Sequence, residues 1–281
     1  PNLAPAYSGL ANTYTLAASL NLLAPREAYP NAERAARRAL DIDPNLATAH
    51  MALGDIETDY NWNWGAGEAE LKRSLELAPN LAYAHGDYSE FLARMGRFEE
   101  ADYHAQLGLR LNPIWINNEA VRALHLFYAH RFDDSIAQAK MVVAKDPNAY
   151  LAYLYLSMSN SAKGNYAAAV AADEKASAIT GGAPPDVFVL GISYALEKNE
   201  AKTKEVLTKL ETMSHQQYVD PFYPAIIHAL RGDKERAFAY LDKCYAEKSY
   251  WITTLKVFPF LDGLRSDSRF AELLRKSNLS D

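Results

Sequence analysis

Prolines 44, 79, 113 and 147 stand 35, 34 and 34 residues apart, and one more step of 34 reaches Gly181. Each follows an apolar, helix-forming run, and the surrounding text recurs: Ala39-Leu40-Asp41-Ile42-Asp43-Pro44-Asn45, Leu75-Glu76-Leu77-Ala78-Pro79-Asn80, Leu109-Arg110-Leu111-Asn112-Pro113, Ala144-Lys145-Asp146-Pro147-Asn148. Proline disfavours helical geometry in the residue before it, which ends one helix, and is tolerated in the first turn of the next. A second break lies inside each period, at Met95-Gly96-Arg97, His130-Arg131, Lys163-Gly164-Asn165 and Arg231-Gly232-Asp233. The period therefore reads helix, short turn, helix. Two short amphipathic helices cannot bury their apolar faces alone, so successive pairs must stack.

Within the period, Leu53-Gly54 in the second unit and Leu190-Gly191-x-x-Tyr194 in the sixth recur at one phase, with His50 at the large position opening the second. Gly96-Arg97-Phe98-Glu99-Glu100-Ala101 and Gly164-Asn165-Tyr166-Ala167-Ala168-Ala169 follow the inner turn, and Ala101, Ala169 and Ala237 hold a small position on the second helix. This pattern resembles the tetratricopeptide repeat, W-x2-L-G-x2-Y, then A-x3-F, then P. The resemblance implies an all-α, right-handed α-solenoid of about seven helix pairs with a C-terminal capping helix. The expected organisation is a single superhelix over 1–281: repeats at 1–44, 45–79, 80–113, 114–147, 148–181, 182–217 and 218–250, and a cap at 251–281.

Two units depart from the pattern. Tyr7, Leu10, Ala11 and Tyr14 are in phase, but Tyr14 to Ala32 spans 18 residues where the consensus spans nine, so Leu16 to Pro25 should lengthen the first helix or protrude as a loop. The fourth unit has Arg122-Ala123 in place of Leu-Gly. Gly181-Gly182-Ala183-Pro184-Pro185 reads as a turn that leaves the phase of the repeat intact. Beyond Trp251 the repeat stops, and Ser266 or Asp267 is placed to cap a terminal helix through Phe270, Leu273 and Leu274.

The sequences Leu264-Arg265-Ser266-Asp267-Ser268-Arg269-Phe270 and Asn61-Trp62-Asn63-Trp64 are similar to signatures of the C-terminal tetratricopeptide modules of bacterial winged-helix regulators, serine/threonine kinases and adenylate cyclases. That resemblance implies a part of a larger bacterial signalling or transcription-regulatory protein. The start at Pro1, inside a repeat, agrees with it. Trp62 and Trp64, two residues apart, are expected to pack locally, since such a pair does not share a helix face.

Chemistry of other kinds is disfavoured. A net charge of −6 argues against phosphate neutralisation, so no nucleic-acid partner is expected for this segment. No run approaches the ~18 apolar residues of a membrane span. The single cysteine, Cys244, fits a buried thiol and a cytoplasmic protein. The seven histidines, 50, 85, 104, 125, 130, 215 and 228, lack metal-ligand spacing and read as packed side chains. No nucleophile elbow, phosphate loop or paired-carboxylate motif occurs. Hence no catalytic residue, cofactor or metal is expected.

Binding is expected instead on the stripe of each first helix opposite its packed face, at spacings of three and four residues. In tetratricopeptide arrays that stripe lines the concave groove. Here it comprises Asn12, Thr15, Met51, Asp55 and Glu90, then Asn117, Leu124, Phe127, Leu154, Met158, Phe188 and Ile192. It changes from polar to apolar along the chain, and the apolar part either packs against a neighbouring helix as core or stays open to hold a peptide, an amphipathic helix, a partner domain or a terminus of the same chain. Self-association is a possible use of it. Chaperone-tail binding is not expected, because Ser8 and Met51 stand where a Lys/Asn clamp is wanted. The alternative function is a small-ligand sensor controlling an output domain outside this sequence.

Overall fold

The computed structural model describes residues 3–20 and 22–280. Among them there are fifteen α-helices and no strand. The helices are α1 (Ala4–Ser19), α2 (Pro25–Ile42), α3 (Ala47–Ile56), α4 (Trp64–Leu77), α5 (Ala82–Arg94), α6 (Phe98–Leu111), α7 (Ile116–Tyr128) and α8 (Phe132–Lys145). They continue with α9 (Tyr150–Ala162), α10 (Tyr166–Thr180), α11 (Pro184–Leu196), α12 (Glu200–Ser214), α13 (Phe222–Leu230), α14 (Lys234–Glu247) and α15 (Ser268–Lys276). The all-α solenoid class expected from the period is the class observed.

The turns explain the period. Inner breaks place Gly96, Gly164 and Gly232 at φ of 76 to 77°, and His130 takes the same left-handed geometry at 57°. Glycine alone adopts it without strain. At the outer breaks the helix stops at Ile42, Leu77, Leu111 or Lys145, and the next starts three residues after the proline rather than on it. The proline thus occupies the turn, a correction to its expected place in the first helical turn. The Asp43 and Asp146 carboxylates hold that turn by accepting from the Asn45 and Asn148 amides at 3.0 and 2.9 Å. A side-chain-closed turn of this kind supplies partners the backbone lacks.

Pairing is tight where the Leu-Gly step predicts it. A Cβ on Gly54 would lie 2.6 Å from the Leu71 side chain, and one on Gly191 would lie 2.8 Å from Val206 of its paired helix and 2.5 Å from Ile227 of the next pair. Any side chain there would separate the helices. The long first unit resolves as longer helices, since α1 has 16 residues and α2 has 18.

By chain contacts the molecule divides into two compact units. Unit 1 is Pro1–Pro113, Cys244–Lys256 and Leu273–Asp281. Its α2 packs on both α1 and α3, α4 on α3 and α5, and α5 on α6. The core of its first pairs is alanine-rich, with Ala11, Ala18, Ala28, Ala32, Ala36 and Ala52 around Tyr29 and Ile56. Unit 2 is Ile114–Lys243 with Val257–Glu272, and α7 to α11 pack there in successive pairs. Both units incorporate residues from the segment after α14.

That segment is built from short 3-10 turns, Tyr250–Thr254 and Pro259–Leu264, before α15. Asp267 caps α15 by accepting from the Arg269 amide at 3.1 Å, as its position predicts. The Arg269 side chain and amide hold the Asp267 carboxyl down at about 2.

Candidate functional site

The stripe positions of unit 1 lie on α1, α3 and α5. Asn12, Asp55 and Glu90 are half-buried, while Thr15 and Met51 are buried. Thr15 closes onto its own helix, donating to the Asn12 carbonyl at 3.0 Å. Around Asp55 and Glu90 the fold gathers residues the stripe pattern did not name: Asp59, one turn after Asp55, then Asp87 and Arg94 on α5. Arg94 donates to Asp59 at 2.5 Å and to the Thr253 hydroxyl at 3.2 Å, and its guanidinium lies 5.3 Å from the centre of the Tyr250 ring. The Tyr250 hydroxyl donates to Glu90, and Tyr29 reaches Asp59 at 3.5 Å.

Four carboxyl groups therefore share one guanidinium. The electrostatic consequence is retained protons. Burial, then the charges of Glu90 and Asp59, pushes Asp87 up to about 8. Burial, then Asp87 and Asp59, raises Asp55 well above the carboxylate range, and Arg94 opposes both shifts. Burial works against the Arg94 charge, yet Asp59, Tyr250 and Glu90 keep it firmly protonated. A buried charge persists only when paired in this way. The sequence signal was present as Asp55/Asp59 and Asp87/Glu90/Arg94 at helical spacings, but the inclusion of Tyr250 and Thr253 had none.

Unit 2 carries the apolar positions. Leu124, Phe127, Leu154, Met158, Phe188 and Ile192 are all buried, and only Asn117 of its stripe is exposed. This corrects the open-groove reading of these positions. For Phe127 the cover is the 257–261 segment: Phe258 and Phe260 lie 5.7 and 5.3 Å from its ring, and Phe258 also meets Phe222 at 5.1 Å. Phe188 stacks on Tyr223 at 4.5 Å. Edge-on and offset rings at these separations are favourable beyond their area burial.

The tryptophan signature also reaches further than local packing. Trp62 adopts φ 55° after a π-helical turn, Glu57–Asn61, and is buried. Its ring lies 5.1 Å from Tyr245 with the Lys248 ammonium 3.7 Å above it. Asn278 donates to the Trp62 carbonyl at 3.2 Å, and the Trp64 indole donates to the Ser277 carbonyl at 3.1 Å. The motif clasps Ser277 and Asn278 within unit 1.

Histidines serve the repeat. His50 and His85 each set Nε2 3.0 Å from the carbonyl of the proline six residues earlier, Pro44 and Pro79. His85 Nδ1 meets His104 Nδ1 at 2.9 Å, and burial, with His85 beside it, lowers His104 to about 4. Cys244 is a buried free thiol. Among the described residues no cluster of metal-ligating groups forms and no helix is long and apolar enough to cross a membrane. In unit 2 a cleft of about 630 Å³, open to solvent, is lined by Lys204, His228, Arg231, Arg236 and Tyr240, with Arg231 paired to Glu200 at 2.6 Å.

No family model matches the sequence. The structure is similar to PilW, a type IV pilus biogenesis factor, with a TM-score of 0.60 at 17% identity, covering 75% of this chain and 94% of that one. It is also similar to a tetratricopeptide repeat protein from Parabacteroides merdae, with a TM-score of 0.58 at 12% identity, covering 97% and 98%. The fold is a tetratricopeptide-type array. A curated relative, the protein O-mannosyl-transferase Tmtc2 of Drosophila melanogaster, is 32% identical over 77 residues, which are 27% of this array and 8% of the relative. The chain therefore spans a small fraction of that relative's length.

Proposed function

We propose that the chain is a non-catalytic interaction scaffold that receives a basic segment of a protein partner on the polar stripe of unit 1. Asn12, Asp55 and Glu90, with Asp87, are the contact residues. The observation that carries this reading is the excess of carboxylates over guanidinium on a surface that is still half-accessible. A lysine or arginine side chain would complete the charge balance and release the retained proton. The Met51 and Thr15 side chains support the floor, and Phe127 of unit 2 packs against Phe258 and Phe260.

The two signatures support a second part of the proposal, that this scaffold belongs to a longer, cytoplasmic bacterial signalling or regulatory protein. A small-ligand sensor would want an enclosed pocket, and the cleft of unit 2 opens to solvent.

Calorimetry with a lysine/arginine-rich peptide and a glutamate-rich one of equal length tests the site. The basic peptide is expected to bind, more tightly at pH 8.5 than at 6.5, because Asp87 ionises at about 8. Affinity should fall with salt as screened charges do. Asp55→Asn with Asp87→Asn should weaken it at least tenfold. Equal binding of both peptides, or none in the full chain, would sink the reading.

A further inference from the structure

In unit 2 the first helices α7, α9 and α11 each have 13 residues, but α13 has 9. The connection before α13, 215–221, is seven residues long, where 146–149 has four and 181–183 has three. Val219 and Pro221 of that connection line the cleft of about 630 Å³, so the shortened helix opens it. Along α12 the lining positions run from Glu200 to Glu211, roughly 16 Å at the rise of a helix.

The floor of the cleft is apolar. Leu207, Val219 and Tyr240 are half-buried there, and the Tyr240 ring stacks on His228 at 5.8 Å. The rim is cationic: Lys204, Arg231, Arg236 and Lys243 line it against two carboxylates, Glu200 and Glu211, in a chain of net charge −6. Three of these cations are poorly neutralised. A guanidinium offers five N–H donors, yet the Arg231 side chain makes one hydrogen bond, to Glu200 at 2.6 Å, and its buried Nε has no acceptor. Arg236 Nε stands 3.6 Å from Asp233, beyond hydrogen-bonding distance. Lys204 pairs with no carboxylate among the described residues. Cations beside apolar surface attract an anion more strongly than fully solvated ones do.

We propose that this cleft binds an acidic, amphipathic segment of a protein partner. A large apolar side chain of the segment seats on Leu207, Val219 and Tyr240, and flanking carboxylates pair with Lys204, Arg231 and Arg236. Both features are required of the occupant. A run of glutamates alone leaves the floor wet, and an apolar segment alone leaves the cations without counter-charge. The open side admits a chain that continues past the cleft at both ends. The inference is independent of the basic-segment site, which uses α3 and α5.

Calorimetry on the full chain tests it with the peptide Glu-Glu-Leu-Glu-Glu-Phe-Glu-Glu and the same peptide with serine in place of Leu and Phe. The first is expected to bind, about tenfold or more tighter than the second, because only the first buries apolar side chains. Lys204→Gln with Arg236→Gln, both at exposed positions, should keep the melting temperature and weaken the first peptide about tenfold. The same variant should bind a lysine/arginine-rich peptide as the parent does, so the two sites fail separately. Saturation with the first peptide should slow amide exchange in α12 and in 215–221, a footprint that decides the question even if the variant folds poorly. No binding of the first peptide, equal binding of both, an affinity the double variant leaves intact, or protection confined to other helices overturns the proposal.

Discussion

The two units place opposite chemistry at the same stripe positions. In unit 1 the stripe is acidic and half-accessible, and the segment after α14 meets it through polar contacts: Tyr250 to Glu90 and Thr253 to Arg94. In unit 2 the stripe is aromatic and aliphatic, and the same segment meets it through Phe258 and Phe260. An apolar stripe left in water would be a large exposed patch, so covering it is favourable by roughly 1.5–3 kcal/mol per large side chain. An acidic stripe gains nothing comparable from being sealed, because every carboxylate taken from water must be paired or protonated. The same stripe therefore serves as core in one unit and remains available in the other.

The largest expected effect breaks that contrast in unit 2. Phe127 is fully buried among Phe132, Phe258 and Phe260. Phe127→Ala should cost about 3–5 kcal/mol in urea denaturation, whereas Asn117→Ala, on the exposed end of the stripe, should change stability by less than about 0.5 kcal/mol. A loss under about 1 kcal/mol for Phe127→Ala would show that the 257–261 segment is not part of the core.

In unit 1 the corresponding change is Arg94→Met, which leaves Asp59 buried without its partner. Removal of one member of a buried pair costs about 3 kcal/mol. Thermal unfolding should show that loss, and Asp59→Leu added to Arg94→Met should restore much of it. If the double variant is no better than the single, the other carboxylates rather than Asp59 set the cost.

Protonation sharpens the comparison further. In unit 2, burial pushes Asp173 up to about 8, with Asp186 adding to the shift against the Ser193 hydroxyl 3.5 Å away. The unfolded chain releases that proton near 4, so between about pH 4 and 8 the native state holds more protons and stability falls as pH rises. Asp173→Asn should flatten this slope and leave the variant more stable than the parent at pH 8. His104 in unit 1, lowered to about 4, acts in the other direction. Below about 6.5 the unfolded state takes up the proton first, so stability falls as pH drops from about 6.5 to 4. His104→Gln should remove that acid loss. Denaturation curves at pH 5, 6.5 and 8 separate the two contributions, and parallel pH profiles for variant and parent would refute either.

The smallest effect concerns the tryptophan clasp. Trp64→Phe deletes the indole bond to the Ser277 carbonyl and should cost about 1 kcal/mol, with faster amide exchange confined to the last residues of the chain. No change in their exchange would mean that the Asn278 bond to Trp62 holds the terminus by itself.

The sequence alone determined the local structure. The proline period, the inner glycines and the Leu-Gly steps are signals whose physics acts within one helix pair: a blocked helical geometry, a left-handed turn, a close approach. They located the helix pairs, and Asp267 announced its own cap. They also gave the stripe, because helical spacing decides which side chains share a face. Tertiary structure alone decided which parts of that stripe water reaches. Residues 249–264 have no period of their own and therefore no register to read, yet Tyr250 reaches Glu90 and Phe258 reaches Phe127 across the chain. Whether Phe127 is a binding anchor or core depends on that distant segment, and whether Asp87 keeps its proton depends on its burial beside Glu90 and Asp59. Helical spacing is local, whereas burial belongs to the whole fold.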